Sequence, residues 1–230
     1  MSALRHEIVK QNGGMMFTSR EIGEVQHSAV RSWRMTGNSS RVAAAGPTDL
    51  EPLINVIVLA FAADPVARWM YHDPQRYLAY FGRFIRAFAG KAFSTGTAWC
   101  VDGNLGAALW LPPGIKPDEE AIDAILDESV PRDVMADVNA MFGEMAAYHP
   151  RDLHWYLPTI GVEPHLHRRG LGSALLAETL RWCDQEHLPA YLESSNPANS
   201  ALYQRFGFEA LGVIRVGHAP PMLPMLRAAR

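Results

Sequence analysis

After about residue 40, the chain alternates between two hydrophobic patterns. Short apolar runs of the kind that form buried strands occur at 41–45, 97–101, 105–111, 152–162 and 190–193. Between them, apolar residues recur at spacings of three and four, which is the period of one helix face. The order of these segments predicts a fold of the α/β (α+β) class, in which strands and helices are mixed along the chain.

Helices are predicted first after the strand at 41–45. Thr48 and Glu51 have the spacing of a capping box, and Asp64-Pro65 ends the apolar periodicity that follows them. Two further helices are predicted near Val66–Met70 and Pro74–Gly90, and both are rich in aromatic residues. Such aromatic side chains are typical of a core, although an apolar substrate pocket would have the same composition.

The stretch from residue 117 to 148 is acidic and is predicted to form two helices that are broken at Pro131. It holds nine acidic residues between Asp118 and Glu144, against the single basic residue Arg132. A solvated helix face explains this pattern. The alternative is an acidic lid or mouth that attracts a cationic amine.

Residues 1–39 differ from the remainder because their charges and glycines show no sustained period. They are predicted to form a weakly ordered extension or a packing arm, with a partial helix from Ser19 to Trp33. The globular domain is accordingly predicted to span residues 40–230.

Composition excludes several functional classes. The net charge of −3 shows no sign of the basic patch of a nucleic-acid-binding protein. No apolar stretch approaches the length of a membrane span, and no export signal is recognisable, so neither a nucleic-acid nor a membrane partner is expected. Only two cysteines occur, Cys100 and Cys183, which favours a reducing cytoplasmic location. The histidines lack metal-ligand spacing, and no metal is expected.

The most informative stretch is His167–Ser173, which stands between the apolar run 156–162 and a helical pattern that reaches about His187. Gly170 and Gly172 allow a tight turn, and the first N–H groups of the helix lack carbonyl partners. With the helix dipole and the arginine pair before Gly170, such a turn can bind a phosphate or pyrophosphate. An ordinary strand-to-helix turn with solvated arginines is the alternative.

The last segment begins with the strand Ala190–Glu193. This strand is joined to the run at 152–162 by a helical crossover, so the two strands should be parallel. Asn196-Pro197 is predicted to open the last helix and Gly207 to end it. Two closing strands are predicted at Phe208–Val216 and Met222–Leu226.

Two of these segments together resemble the GNAT superfamily of acetyl-CoA-dependent N-acetyltransferases. Ile160–Pro164 with Gly170–Leu176 is similar to the family's acetyl-CoA motif, Q/R-x-x-G-x-G/A after a strand. Leu192–Asn199 with Leu202–Glu209 is similar to its N-x-x-N-x-x-L-Y-x-x-x-G-F signature. One position departs from the pattern, because His167 stands where Gln or Arg is usual. The glycine pattern also lacks the third glycine of a dinucleotide-binding dehydrogenase.

The resemblance implies a mostly antiparallel mixed sheet with helices on both faces, in which one parallel strand pair splays apart. The pantetheine arm of acetyl-CoA would lie in that gap and pair with the main chain of Ile160 and Val162. The pyrophosphate would bind the N–H groups of Arg168 to Ser173, and residues 112–150 would form a helical insertion over the substrate side. The expected cofactor-binding residues are Ile160, Gly161, Val162, His167, Arg168, Arg169, Gly170, Leu171, Gly172, Ser173, Asn196, Asn199 and Tyr203.

The same resemblance makes Tyr203 the general acid near the sulfur atom. The general base is left open among Glu193, at the end of a strand that borders the gap, His154, a histidine of the type that titrates near neutrality, and a water chain. Strand alternation places His154, Tyr156, Pro158 and Ile160 on one face.

The predicted function is therefore the transfer of an acetyl group from acetyl-CoA to a primary amine of a small molecule, directly and in a ternary complex. A peptide or protein N-acetyltransferase is one alternative, and a non-catalytic acyl-CoA-binding sensor module is another. The chain is expected to be a monomer or a homodimer.

Overall fold

The computed structural model describes residues 40–230, so the predicted extension 1–39 and its helix lie outside the described residues. The strands are β1 (Val42–Ala44), β2 (Ala98–Val101), β3 (Gly106–Leu111), β4 (Trp155–Val162), β5 (Ala190–Ser194), β6 (Glu209–Ala210) and β7 (Leu223–Arg227). The helices are α1 (Leu50–Ala60), α2 (Pro65–Met70), α3 (Pro74–Ala89), α4 (Lys91–Ser94), α5 (Glu119–Ser129), α6 (Arg132–Tyr148), α7 (Leu171–Glu186) and α8 (Ser200–Arg205).

The strands form one seven-stranded sheet in the order β1-β2-β3-β4-β5-β7-β6. Its pairs are antiparallel except for β4 and β5, which are parallel. Pairing between these two strands is confined to Trp155 with Ala190 and Tyr156 with Tyr191. Beyond Tyr156 the strands have no common register, so the sheet opens at its centre, which confirms the predicted splayed pair.

A β-bulge in β4 changes which side chains share a face. Leu111 pairs with Tyr156 whereas Leu109 pairs with Thr159, so β4 has one residue more than β3 over this interval. Tyr156 therefore lies on the same face as Thr159, and Ile160 lies on the opposite face among the α7-side core residues. The predicted alternation was wrong after Tyr156, because the extra residue shifts its phase. Pro158 fits there, since a bulge tolerates a residue without an N–H group.

Helices cover both faces of the sheet, as the resemblance implied. One core lies between the sheet and the helices α1, α3, α4 and α5, with Leu53, Phe81 and Leu109 at its centre. The second lies under α7 and includes Leu157 and Leu175. Each of these fully buried apolar side chains contributes about 1.5–3 kcal/mol relative to its exposed state. These two cores fix the positions of the diverging ends of β4 and β5.

Two local predictions were wrong. The capping box belongs to the 3₁₀ turn before α1, where the Asp49 carboxylate accepts a hydrogen bond from the Gly46 N–H at 2.8 Å; α1 itself has no side-chain cap among the described residues, and Glu51 pairs with Arg86. The closing strand predicted at Phe208–Val216 is reduced to β6 and an isolated bridge at Ile214, because a glycine interrupts the ladder. No helix among residues 40–230 is long and apolar enough to cross a membrane.

Candidate active site

A cavity of about 770 Å³ lies where β4 and β5 diverge. Its lining combines the turn before α7, the second half of β4, the end of β5 and α8 with side chains from α1, α2, α3 and α6. The predicted cofactor turn and the aromatic helices thus border the same space. The opening of the sheet is the reason that this space exists, since paired strands would have closed it.

The turn before α7 presents a row of main-chain donors. Gly170 is the N-cap residue with a φ of +84°, and it makes no side-chain cap hydrogen bond. Arg168 is also left-handed, with a φ of +64°, which costs a non-glycine residue about 1–2 kcal/mol. Within the described part of the chain, the N–H groups of residues 168–173 have no acceptor. Unpaired donors at the start of a 16-residue helix fit a diphosphate.

The lining residues of this turn are His167, Arg168, Gly170, Leu171, Gly172 and Ser173, whereas Arg169 is exposed and does not line the cavity. A ring nitrogen of His167 lies 3.2 Å from the carbonyl oxygen of Val162, so His167 connects the turn to the end of β4. This contact uses a histidine where the family pattern has Gln or Arg.

The free edge of β4 faces the gap. The Glu163 N–H donates to Leu105 O at 2.9 Å on the β3 side, so by antiparallel alternation the main-chain groups of Ile160 and Val162 point the other way. These groups would face an extended ligand in the gap, although the Val162 carbonyl oxygen is also contacted by the His167 ring. Gly161 lines the cavity as well, but a Cβ there would lie 2.8 Å from Cβ of Ala60. Its lack of a side chain allows α1 to lie against β4.

The loop after β5 brings the asparagines and Tyr203 to the cavity. Asn196 caps the following 3₁₀ turn by accepting from the Ala198 N–H at 3.0 Å, and Asn199 lies at the start of α8. Tyr203 is 6% exposed and lines the cavity, and its hydroxyl has no hydrogen-bond partner among residues 40–230. Burial raises the pKa of Tyr203, and the charge of Asp64 raises it further. The phenol is therefore protonated at neutral pH.

The two base candidates lie in different places. Glu193 lines the cavity, its side chain is 4% exposed, and its Oε2 accepts a hydrogen bond from the Tyr156 hydroxyl at 2.8 Å. His154 precedes β4 and does not line the cavity. It reaches the carboxylate through His149, which the sequence analysis missed. Burial lowers the pKa of His154.

Asp64 is a second residue that sequence reasoning missed. Its Oδ1 caps α2 by accepting from Val66 N–H and Ala67 N–H, each at 3.0 Å, while its Oδ2 accepts from the Ser195 hydroxyl at 2.7 Å. Burial raises the pKa of this carboxyl group, which is 7% exposed and lines the cavity. Asp64-Pro65 was interpreted as a helix end, and that signal carries no information about the distant Ser195.

The aromatic helices contribute both to the core and to the apolar pocket, the two alternatives that the sequence left open. Their side chains fill the core below the cavity, and Phe81, Phe84 and Phe88 also line it. Further apolar lining comes from Phe61, after α1, and from Met141, Phe142 and Met145 of α6. None of the nine acidic residues of the 118–144 segment lines the cavity. Within this described segment the structure therefore places no acidic mouth at the cavity, because α6 turns its apolar side to it; of the acids on α6, Asp137 accepts a hydrogen bond from the His218 N–H at 2.9 Å.

Comparisons with known proteins agree with this geometry. The family model described as the acetyltransferase (GNAT) family matches residues 117–208. An uncharacterized N-acetyltransferase from Schizosaccharomyces pombe is 27% identical over 205 residues, which cover 78% of this chain and 79% of the relative.

Solved structures share the fold. The crystal structure of "histone acetyltransferase HPA2 and related acetyltransferase" from Corynebacterium glutamicum has a TM-score of 0.61 and 26% identity, and the match covers 84% of this chain and 97% of that one. Arylalkylamine N-acetyltransferase 2 from Aedes aegypti has a TM-score of 0.59 with 13% identity over 84% of this chain and 100% of its own, a likeness of fold alone.

The glycine turn, the splayed strands and these relatives lead to one assignment. Residues 117–208 match the GNAT acetyltransferase family, the fold is shared with a solved acetyltransferase, and these findings together support an acyltransferase of the N-acetyltransferase type.

Proposed function

We propose that the chain transfers the acetyl group of acetyl-CoA to the primary amine of a small molecule, with both substrates held together in a ternary complex. The observation that carries this proposal is the single cavity that joins the amide-lined turn to an apolar pocket, with Glu193 and Tyr203 on its walls. A direct transfer needs a donor site, an acceptor site, a base and an acid in one continuous space.

The donor site consists mainly of main-chain groups. The free N–H groups of residues 168–173 would hold the diphosphate, and the main-chain groups of Ile160 and Val162 would pair with the pantetheine arm. Asn196 would keep the turn after β5 in shape, and Asn199 would border the arm. Bound acetyl-CoA would supply an activated acetyl thioester.

The proton transfers are assigned to two side chains that line the cavity. Glu193 takes a proton from the acceptor ammonium, and the electron pair of the broken N–H bond stays on the nitrogen for attack. Tyr203 donates its phenolic proton to the departing sulfur atom, since the phenol is protonated at neutral pH and lines the cavity. General acid–base catalysis of this kind contributes about 10²–10⁴-fold to the rate.

The acceptor is proposed to be an amine on an apolar arm. The aromatic and methionine side chains of α3 and α6 offer an apolar wall, and Asp64 and Glu193 offer negative charge beside it. Asp64 would attract the ammonium group before transfer, because its Oδ2 accepts only the Ser195 hydroxyl among the described residues. Helix α6, within the segment 112–150, would lie over this acceptor side of a domain that spans 40–230.

The experiment is a measurement of free CoA release from acetyl-CoA with a panel of amines. We expect 2-phenylethylamine to react about tenfold faster than ethanolamine at equal concentration, because only the former buries an aromatic arm. Preference for a peptide amino terminus would instead indicate a peptide or protein N-acetyltransferase. Tight acetyl-CoA binding without CoA release for any amine would indicate the sensor module.

A further inference from the structure

One oxygen of Glu193 is left without a hydrogen bond. Its Oε2 is paired with the Tyr156 hydroxyl, but its Oε1 is buried and has no donor among the described residues. A buried carboxylate oxygen without a donor is costly, so such groups usually have a function or a partner. The nearest cationic candidate is His149, whose Nδ1 lies 3.8 Å from Oε1.

The hydrogen bonds of a second histidine determine how His149 is protonated. Nδ1 of His154 lies 2.7 Å from the carbonyl oxygen of Asp152, and a carbonyl can only accept, so this Nδ1 carries a hydrogen. A neutral His154 therefore has its lone pair on Nε2, which lies 3.0 Å from Nε2 of His149. His149 must donate through that nitrogen. Its Nδ1, which faces Glu193, is the position left to gain or lose a proton.

The surroundings hold the His149 ring in this orientation. His149 caps the end of α6 and contacts the rings of Tyr156 and Tyr191 edge-on, with centroids 4.8 Å apart in both cases. The other ionisable groups of this cluster are the phenols of Tyr148, Tyr156 and Tyr191. Burial raises the pKa of Tyr156 and Tyr191, and the charge of Glu193 raises it further, so these two phenols stay neutral.

We propose that His149 is the exit for the proton that Glu193 removes from the acceptor amine, and that His154 is a positioning residue that fixes the His149 ring. This inference rests on the proposed function, with Glu193 as the base. The O–H bond formed on Glu193 breaks, an N–H bond forms at Nδ1 of His149, and Glu193 returns to its carboxylate form. The proton then leaves to water, because the His149 side chain is 34% exposed whereas that of Glu193 is 4% exposed.

The test compares three variants at several pH values with saturating acetyl-CoA and amine. His149→Gln should lower kcat about tenfold while both KM values stay unchanged, because binding is intact and proton release is slowed. Added imidazole should restore part of this kcat by carrying the proton instead. His154→Gln should cause a smaller loss in the same direction.

The matched control is His165→Gln. His165 also lies beside a carboxylate, with its Nδ1 3.0 Å from Glu163 Oε1, but it is exposed and does not line the cavity. Its kcat and pH profile should equal those of the wild type. An unchanged kcat for His149→Gln would overturn the proposal, and so would a loss that imidazole does not restore, since that would be a structural effect.

A second readout does not depend on activity. In NMR spectra of the imidazole rings in the full chain, Glu193→Gln should change the ring signals of His149 and leave those of His165 unchanged, because only His149 lies beside Glu193. Unchanged His149 signals would overturn the proposal. The same variants distinguish an error in the role of His149 from an error in the role of Glu193. If Glu193→Gln abolishes CoA release while His149→Gln is normal, Glu193 is the base but His149 does not release its proton. A wild-type chain that releases no CoA with any amine overturns both.

Discussion

The two ends of the cavity are built in contrasting ways. The donor end consists of consecutive main-chain groups, which stand between β4 and the first turn of α7. The acceptor end consists of side chains from separate elements. Asp64 precedes α2 and Glu193 lies in β5, while His149, which contacts Glu193 from outside the lining, follows α6. One end is therefore a property of a short segment, and the other is a property of the whole packing arrangement.

This difference has an energetic consequence. The N–H groups at the turn have no acceptor within residues 40–230, so they stay near solvent and carry little desolvation cost until a ligand arrives. The carboxylates at the acceptor end are already buried, which raises the pKa of Asp64. The donor end should thus tolerate substitution without loss of stability, whereas the acceptor end exchanges stability for function.

The largest effect is expected from Gly172→Glu. The new carboxylate would occupy the anion site and repel the diphosphate, at a loss of about 4 kcal/mol or about 1,000-fold in CoA affinity. A Cβ at this position meets only a Leu202 methyl group at 3.4 Å, so the fold should persist. Calorimetric titration with CoA measures the affinity.

The matched control for that change is Gly143→Glu, which adds the same charge to α6 at an exposed position with nothing within 4 Å of its Cβ. It should bind CoA like the wild type. Equal affinities for the two variants would show that the turn is not the anion site.

Tyr203→Phe should come next. Loss of the phenolic proton should lower kcat about 100-fold, because the sulfur atom must then leave unprotonated. The KM for acetyl-CoA should change little. Steady-state kinetics of CoA release measures both constants, and Tyr80→Phe, on α3 and outside the cavity, should have no effect. A normal kcat for Tyr203→Phe would remove the acid role.

Asp64→Asn should raise the acceptor KM about tenfold by removing the charge that attracts the ammonium group. Its folded pKa is raised, so the contribution of Asp64 to stability is present at acid pH and lost as pH rises through that pKa. At neutral pH the variant should therefore melt no lower than the wild type, since Asn retains the cap. Calorimetric melting and amine kinetics measure the two effects.

Its control, Asp73→Asn, alters the cap of α3, where the exposed carboxylate accepts from the N–H groups of Gln75 and Arg76. These hydrogen bonds lower the pKa of Asp73, so the variant should lose some stability at neutral pH and no activity. If both aspartate variants behaved alike, Asp64 would be a cap and nothing more.

The smallest effect concerns the pH dependence of stability. Burial lowers the pKa of His154, so the unfolded chain binds this proton more tightly than the folded chain does. The wild type should lose stability as pH falls through about 6.5, and His154→Gln should lessen that loss. Urea unfolding across this range measures the slope. Equal slopes for the wild type and His154→Gln would contradict the assignment of this pH dependence to His154. His72→Gln is the control and should keep the wild-type slope.

Several features could be predicted because they depend on neighbours in sequence. The turn from Gly170 to Ser173, the helix break at Pro131 and the cap at Asn196 follow from local backbone preferences, and the structure contains them. The roles assigned to Tyr203 and Glu193 stay predictions, although both residues line the cavity. The cofactor-binding role of Arg169 also stays a prediction, and this residue does not line the cavity.

Other features could not be predicted because they depend on pairing across the fold. The bulge at Pro158 appears when β4 is aligned with β3, and it reverses the face of Ile160. The hydrogen bond from Ser195 to Asp64 joins residues 131 positions apart. No local period marks either residue as part of a site.

The sequence by itself determined the donor end of this protein, because main-chain N–H groups are directed by the φ and ψ angles of one turn. The tertiary structure alone decided the acceptor end. There, strand register and helix packing bring Asp64 and Glu193 to one cavity and place His149 3.8 Å from Glu193, and no short segment encodes that arrangement.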